Sequence, residues 1–182
     1  MNELAHSCIK RVYENKDYGF FKERSSLKPQ YYDKLIELAN ILCKKILILN
    51  TENDPAIELL FYFRDYIKNE FHIKYKSLLK ISKVADLFVF QHEFSVENRD
   101  EEGLTPVLEG FGAEPYISSQ YKVAEKITEF LYTYHLQKLE LTEIDEVVWG
   151  LKIPETSIFG TQMTVENALF RDLYGICEEK TK

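Results

Sequence analysis

Between Leu87 and Glu97 the chain alternates strictly. Phe88, Phe90, His92, Phe94 and Val96 fall on one side, and Val89, Gln91, Glu93, Ser95 and Glu97 on the other. A period of two with ring-rich residues describes a half-buried β-strand, because successive side chains leave a strand on opposite faces. No helix satisfies this pattern. Such a strand needs a hydrogen-bonded neighbour, and Leu78 to Val84, joined to it by a turn near Ala85 and Asp86, is the expected partner.

The remaining segments divide by period. A short helix is predicted over residues 3–15. A second is predicted from Pro29 to Lys45, where Leu35, Leu38, Leu42, Ile46 and Leu49 recur at helical spacing. Its tail, Ile46 to Leu49, fits a strand equally well. A third helix is predicted to start at Asp54-Pro55, with Asp54 as cap and Ile57, Leu60, Phe61 and Ile67 as the buried stripe. Glu97 to Tyr116 gathers turn formers (Gly103, Pro106, Gly110, Gly112, Pro115) and reads as a long loop. Ser118 or Ser119 then caps an amphipathic helix carrying Val123, Ile127, Phe130, Leu131 and Tyr134. Val147 to Ile153 reads as a strand stopped by Pro154. Thr164 caps a last helix with Val165, Leu169, Leu173 and Ile176 on its apolar side. The order lacks regular βαβ alternation. The expected fold is α+β: four to five helices packed around a small, largely antiparallel sheet, in a single domain spanning residues 1–182.

Composition bounds the class. A chain of 182 residues with 45% hydrophobic content buries enough surface to fold without disulfides or a structural metal. Cys8, Cys43 and Cys177 are odd in number and form no Cys-x-x-Cys, so neither a zinc clip nor a redox pair is signalled, and three free thiols suit a reducing compartment. Met1 to His6 lacks the basic-then-apolar pattern of a signal peptide. The apolar run Ile46 to Leu49 is far shorter than the ~20 residues that cross a bilayer. A cytoplasmic location with no membrane association is expected. Lys (18) outnumbers Arg (5), a bias that suits an AT-rich bacterial or phage genome.

Charge is distributed unevenly. Residues 1–91 carry 15 basic and 12 acidic side chains, a net of +3, and residues 92–182 carry 8 and 18, a net of −10. A field of that sign repels phosphate backbones and attracts cations, so nucleic acid is disfavoured as a partner and a basic protein favoured. The acidic residues Glu93, Glu97, Asp100, Glu101, Glu102, Glu109 and Glu114, with Tyr116, are the expected contact set. They lie on the wet face of the Leu87–Glu97 strand and in the loop after it. Tyr and Phe rings supply anchors at such surfaces.

Catalytic motifs are scarce. His92-Glu93 resembles the start of a zinc-protease helix, but the second histidine position is Val96 and the segment alternates as a strand. His92, between Phe90 and Phe94, reads first as a hydrogen-bonded core histidine. Its alternative role is a buried general base whose proton affinity is lowered by desolvation. His6, His72 and His135 have no ligand-like neighbours except Glu70 beside His72, so no metal is signalled. Gly110-Phe111-Gly112 is flanked by Glu109 and Glu114, which would repel a phosphate, and reads as a tight loop around a tucked Phe111. Cys177 is expected at the C-terminal end of the last helix, beside Glu178 and Glu179, where its thiol is inert. Neither a Gly-x-Ser-x-Gly elbow nor calcium-loop spacing occurs, and no cofactor is expected.

Two functions follow as expectations. The first is a non-catalytic protein-binding domain with an acidic, aromatic-dotted surface. Its concrete form, by analogy of class, is an immunity protein that neutralises a basic toxin. The second is a small hydrolase using His92 and Glu93 with loop carboxylates.

Overall fold

The computed structural model describes residues 1–50, 53–99, 107–153 and 162–177. The chain opens with α1 (Glu3–Ile9), whose first turn is capped by the Asn2 carboxamide oxygen, which accepts from the Leu4 amide at 2.9 Å. One π-helical turn, Lys10–Glu14, extends it. Asp17 caps α2 (Tyr18–Ser26) by accepting from the Phe20 amide at 3.1 Å. Next come α3 (Tyr32–Leu42), β1 (Lys45–Ile48), β2 (Ala56–Tyr62), the short β3 (Tyr66–Lys68), β4 (Phe71–Ser82) and β5 (Leu87–Asn98). β6 (Val107–Gly112) leads into α4 (Ser118–Tyr132), β7 (Gln137–Lys138) and α5 (Leu141–Ile144). The last elements are β8 (Val147–Lys152), β9 (Gln162–Thr164) and α6 (Val165–Phe170). Thr164 caps α6 through its hydroxyl, which accepts from the Asn167 amide at 3.3 Å.

Seven of the strands form one sheet with the order β1-β2-β4-β5-β6. β3 pairs with β4, and β7 lies parallel on β5; every other pairing is antiparallel. β8 and β9 form a separate ribbon. The β4–β5 register sets Ile81 against Phe88, Leu79 against Phe90 and Ser77 against His92 on one face, and Lys80 against Val89, Lys76 against Glu93 and Lys74 against Ser95 on the other. α3 and α4 lie over the first face and enclose Leu59, Phe61, Leu79, Ile81, Phe88 and Phe90. α1 and α6 pack at one end of the second face, over Ala56, Leu87 and Val89. At the other end of that face Lys74, Lys76, Glu93 and Ser95 are partly exposed and line a cleft.

This architecture corrects the expectation of helices packed around a small sheet. The sheet is the largest element, and among the described residues six α-helices, four of them seven residues or longer, accompany it. Two segments account for the change. The helix expected from Asp54-Pro55 is instead β2. Its run Ala56-Ile57-Glu58-Leu59-Leu60-Phe61-Tyr62 fits both periods, but Ile57, Leu59 and Phe61 are buried against Ile81, Leu79 and Ser77, while Leu60 points to the opposite face. Pairing on both sides of β2 settles the choice that spacing left open. The stripe member Ile67 sits in β3 and is exposed. The loop expected from Glu97 to Tyr116 contains β6.

Smaller corrections follow the same logic. α6 ends at Phe170, before Leu173 and Ile176, because the Asp172 carboxylate accepts from the Ile176 and Cys177 amides and turns the chain. α4 starts at Ser118 with neither serine as cap. The side chain of Gln120 reaches back instead, accepting from the Tyr116 amide at 2.9 Å and the Ile117 amide at 3.2 Å. Among the described residues no helix is long and apolar enough to cross a membrane.

Lys80 is inside this assembly, nearly buried under α6, with its ammonium on the Glu166 carboxylate. Removing one partner of a buried pair strands the other charge. Glu166→Ala is expected to cost about 3 kcal/mol in urea denaturation, and the double replacement of Lys80 and Glu166 by Met to recover most of it.

Candidate functional site

The distal halves of β4 and β5 extend beyond the helices on the second sheet face, and there the acidic residues of β5 meet the lysines of β4. Glu97 is bonded to Lys74, which holds its carboxyl below the usual carboxylate range against the opposing effect of partial burial; His72 and Arg99 add to the lowering. Glu93 stands opposite Lys76 and accepts from the Gln91 carboxamide at 3.1 Å. Elsewhere Glu146 meets the N-terminal ammonium at 2.7 Å, and Glu129 meets Lys126 at 2.8 Å. The acidic half of the sequence is therefore partly neutralised, much of it by cations from the first half.

His72 is buried on the same face. Its Nε2 lies 2.7 Å from Asp65 and its Nδ1 contacts Arg99, with Glu97 at 3.6 Å. The neighbours that matter are Asp65 and Glu97, not the sequence-adjacent Glu70. Among the described residues no group of three or more His, Cys, Asp and Glu side chains is arranged to hold a metal ion.

His92 occupies the first face with only 1% of its surface exposed. Ser77 Oγ lies 2.7 Å from its Nδ1, and its ring stacks on Phe90 with centroids 5.9 Å apart. Burial, with a smaller contribution from Lys138, pushes its pKa down to about 4. Glu93, one residue on, points to the opposite face, so the two candidate catalytic groups are separated by the sheet. Cys177 is half-buried, with its thiol pushed up chiefly by burial.

A different set comes together around β6. Gly110 lies under the Phe94 ring, which occupies the space a Cβ would need. Phe94 in turn meets Tyr116 edge-on, centroids 4.7 Å apart. Gln120, fully buried, donates to the carbonyls of Lys76 at 2.7 Å and Glu93 at 3.2 Å, and so ties the start of α4 to both central strands. The Gly-Phe-Gly segment is thus strand and not loop, and Phe111 is 71% exposed where a tucked ring was expected. Beyond it, Glu114, Tyr116, Tyr121, Lys122 and Glu125 line a shallow cleft, with the Tyr121 hydroxyl donating to Glu125 at 2.9 Å. Glu109 and Glu114 are exposed and make no ion pair among the described residues.

Of the expected contact set, Glu114 and Tyr116 line this cleft, whereas Glu109 lies on the other sheet face, in a cleft it shares with Lys74, Lys76, Glu93 and Phe111. Glu93 and Glu97 lie among the β4 lysines, and Asp100, Glu101 and Glu102 lie outside the described residues. Tyr121 and Glu125 are outside the expected contact set, and Phe111, expected as a tucked loop ring, is exposed instead. The four-residue spacing of Tyr121 and Glu125 on the wet side of a helix was the available signal. No family model matches the chain, and no curated protein or solved structure matches it either.

Two expected outcomes follow. Above pH 6.5 His92 is neutral folded or unfolded; below it the unfolded chain takes up the proton first. Stability should therefore be lost as pH falls from 6.5 through about 4, by about 3 kcal/mol, and His92→Gln should flatten that decline in chemical denaturation series. Gly110→Val should cost about 1–3 kcal/mol by overpacking against Phe94, and much less in a Phe94→Ala background.

Proposed function

We propose that the chain is a non-catalytic protein-binding domain whose contact surface is the acidic, aromatic strip running from Glu109 to Glu125, and that its partner is a basic protein. The observation that carries this reading is a contrast. Glu97 is neutralised by Lys74, whereas Glu114 stands exposed, without an ion pair among the described residues, beside the exposed rings of Tyr116 and Tyr121; Glu109, also exposed and without an ion pair among the described residues, stands beside Phe111 in a cleft that Lys74 and Lys76 share. Uncompensated carboxylates raise the rate of encounter with a cationic surface. Aromatic rings held in place by their own packing contribute affinity at small entropic cost. Tyr116 is held in this way, by Phe94 and by the Gln120 carboxamide.

In its most concrete form the domain is an immunity protein, occupying a basic toxin by charge and shape with no chemistry of its own. The hydrolytic alternative gains no support from the geometry, because His92 is sealed on one face and Glu93 lies on the other.

The test is direct. The protein is recovered with its bound partner from the host that carries it, the partner is identified by mass spectrometry, and association is timed at low and high salt. Combined Glu109→Lys, Glu114→Lys and Glu125→Lys should slow association about tenfold or more at low salt. Glu97→Gln, at a position already neutralised by Lys74, should change it little. Equal rates for all variants at both salt levels would show that the strip is not the contact. For the immunity form, growth arrest caused by a neighbouring gene product should be relieved by this chain and not by the triple variant.

A further inference from the structure

The partner's mode of attachment is open to a second argument, which rests on the acidic-strip reading above. β6 is an edge strand. It pairs with β5 through His92 to Glu97, and among the described residues no strand lies along its other side. An exposed edge presents a row of backbone donors and acceptors, and folded proteins guard such rows with lysine, proline or a bulge. β6, Val107-Leu108-Glu109-Gly110-Phe111-Gly112, contains neither lysine nor proline, and its pairing with β5 runs without a register shift. It carries apolar side chains outward on both faces instead. Leu108, opposite Val96, is 61% exposed on the helix side, and Phe111, opposite Glu93, is exposed on the lysine-and-glutamate side. Glu109 shares the face of Phe111.

We infer that β6 receives an extended segment of the basic partner as an additional strand of the sheet. The side-chain pattern defines that segment. On the face of Glu109 and Phe111 it needs lysine or arginine, which pairs with the carboxylate and lies against the ring. On the face of Leu108 it needs apolar side chains. Because strand side chains alternate, the two demands combine as a basic–apolar repeat of period two. Main-chain hydrogen bonds to β6 supply affinity, and the alternating side chains supply selectivity. Gly110 and Gly112 add no side chain to obstruct the approach. The opposite edge, β1, carries Lys45 and has the exposed Leu47 and Ile48, so its polarity is the reverse and it does not fit the same segment.

The experiment uses the full chain and a synthetic peptide alternating lysine with valine. A second peptide has the same sequence but is N-methylated on every residue of one edge, so that charge is kept and strand pairing is blocked from that side; a third is methylated on the other edge. Binding is followed by calorimetry and by hydrogen exchange of the residue 107–112 amides. The unmethylated peptide should bind and slow exchange of the outward β6 amides, and one of the two methylated forms should bind at least about tenfold more weakly. Glu109→Gln should weaken the unmethylated peptide.

Equal binding by all three peptides, or no protection of β6, overturns strand addition. If the triple charge reversal still slows the natural partner in that case, the acidic-strip reading survives alone. If strand addition holds while charge reversal leaves the partner unaffected, the strip reading falls and the edge remains. Self-association without peptide that is abolished by Lys45→Glu would assign the edge to β1 of a second copy, and would also overturn the proposal.

Discussion

The antiparallel register between β4 and β5 governs the rest of this structure. Each directly paired couple shares a sheet face, so one register decides where every side chain of both strands points. In the observed register Phe88, Phe90, Leu79 and Ile81 meet α3 and α4, while Lys74, Lys76 and Lys80 point the other way. A one-residue slip of β4 would place its lysines beneath those helices and turn Leu79 and Ile81 out of the core that Phe88 and Phe90 share with them. Burying an unpaired ammonium costs several kcal/mol, far more than a single turn could repay. The apolar surface of the two helices thus enforces the pairing, and the pairing gives the helices a surface to cover.

The same constraint explains the buried polar groups. Where helices cross the sheet, side chains that cannot reach water reach each other. Ser77 meets His92, the Ser82 hydroxyl donates to the Leu169 carbonyl at 2.8 Å, Lys80 meets Glu166, and Gln120 joins two strands to a helix start. The first joins the two hairpin strands, and the others fasten α6 and the start of α4 to the hairpin at defined points. Gln120 matters most for the candidate site, because it positions the start of α4 beside β6 and with it Tyr116 and Tyr121.

Charge follows from topology as well. Along the chain the first half is mildly basic and the second strongly acidic. The β4–β5 hairpin folds one half against the other, so Glu93 and Glu97 face Lys76 and Lys74. The imbalance is reduced along that seam, where Lys74 pairs with Glu97. It persists at the start of α4, where the cleft lining sets Glu114 and Glu125 against Lys122. A property of each half of the sequence becomes a local one in space, because the halves meet along the hairpin and at contacts such as Glu146 with the N-terminal ammonium and Glu166 with Lys80.

What the residues determined on their own was local. The period of two made β5 a strand, helical spacing made α3 and α4 helices, and Thr164 marked the start of α6, since backbone geometry and capping act over a few positions. β2 escaped because Ile57 to Tyr62 satisfies both periods, and only a paired strand on each side distinguishes them. β6 escaped because Gly110 and Gly112 read as turn residues, whereas Gly110 answers to the ring of Phe94, sixteen positions earlier in the chain. The partners of His72 and Glu97, and the side of the sheet on which His92 is sealed, likewise depended on tertiary structure. Electrostatic and packing partners are chosen by distance in space, and sequence separation carries almost no information about that distance.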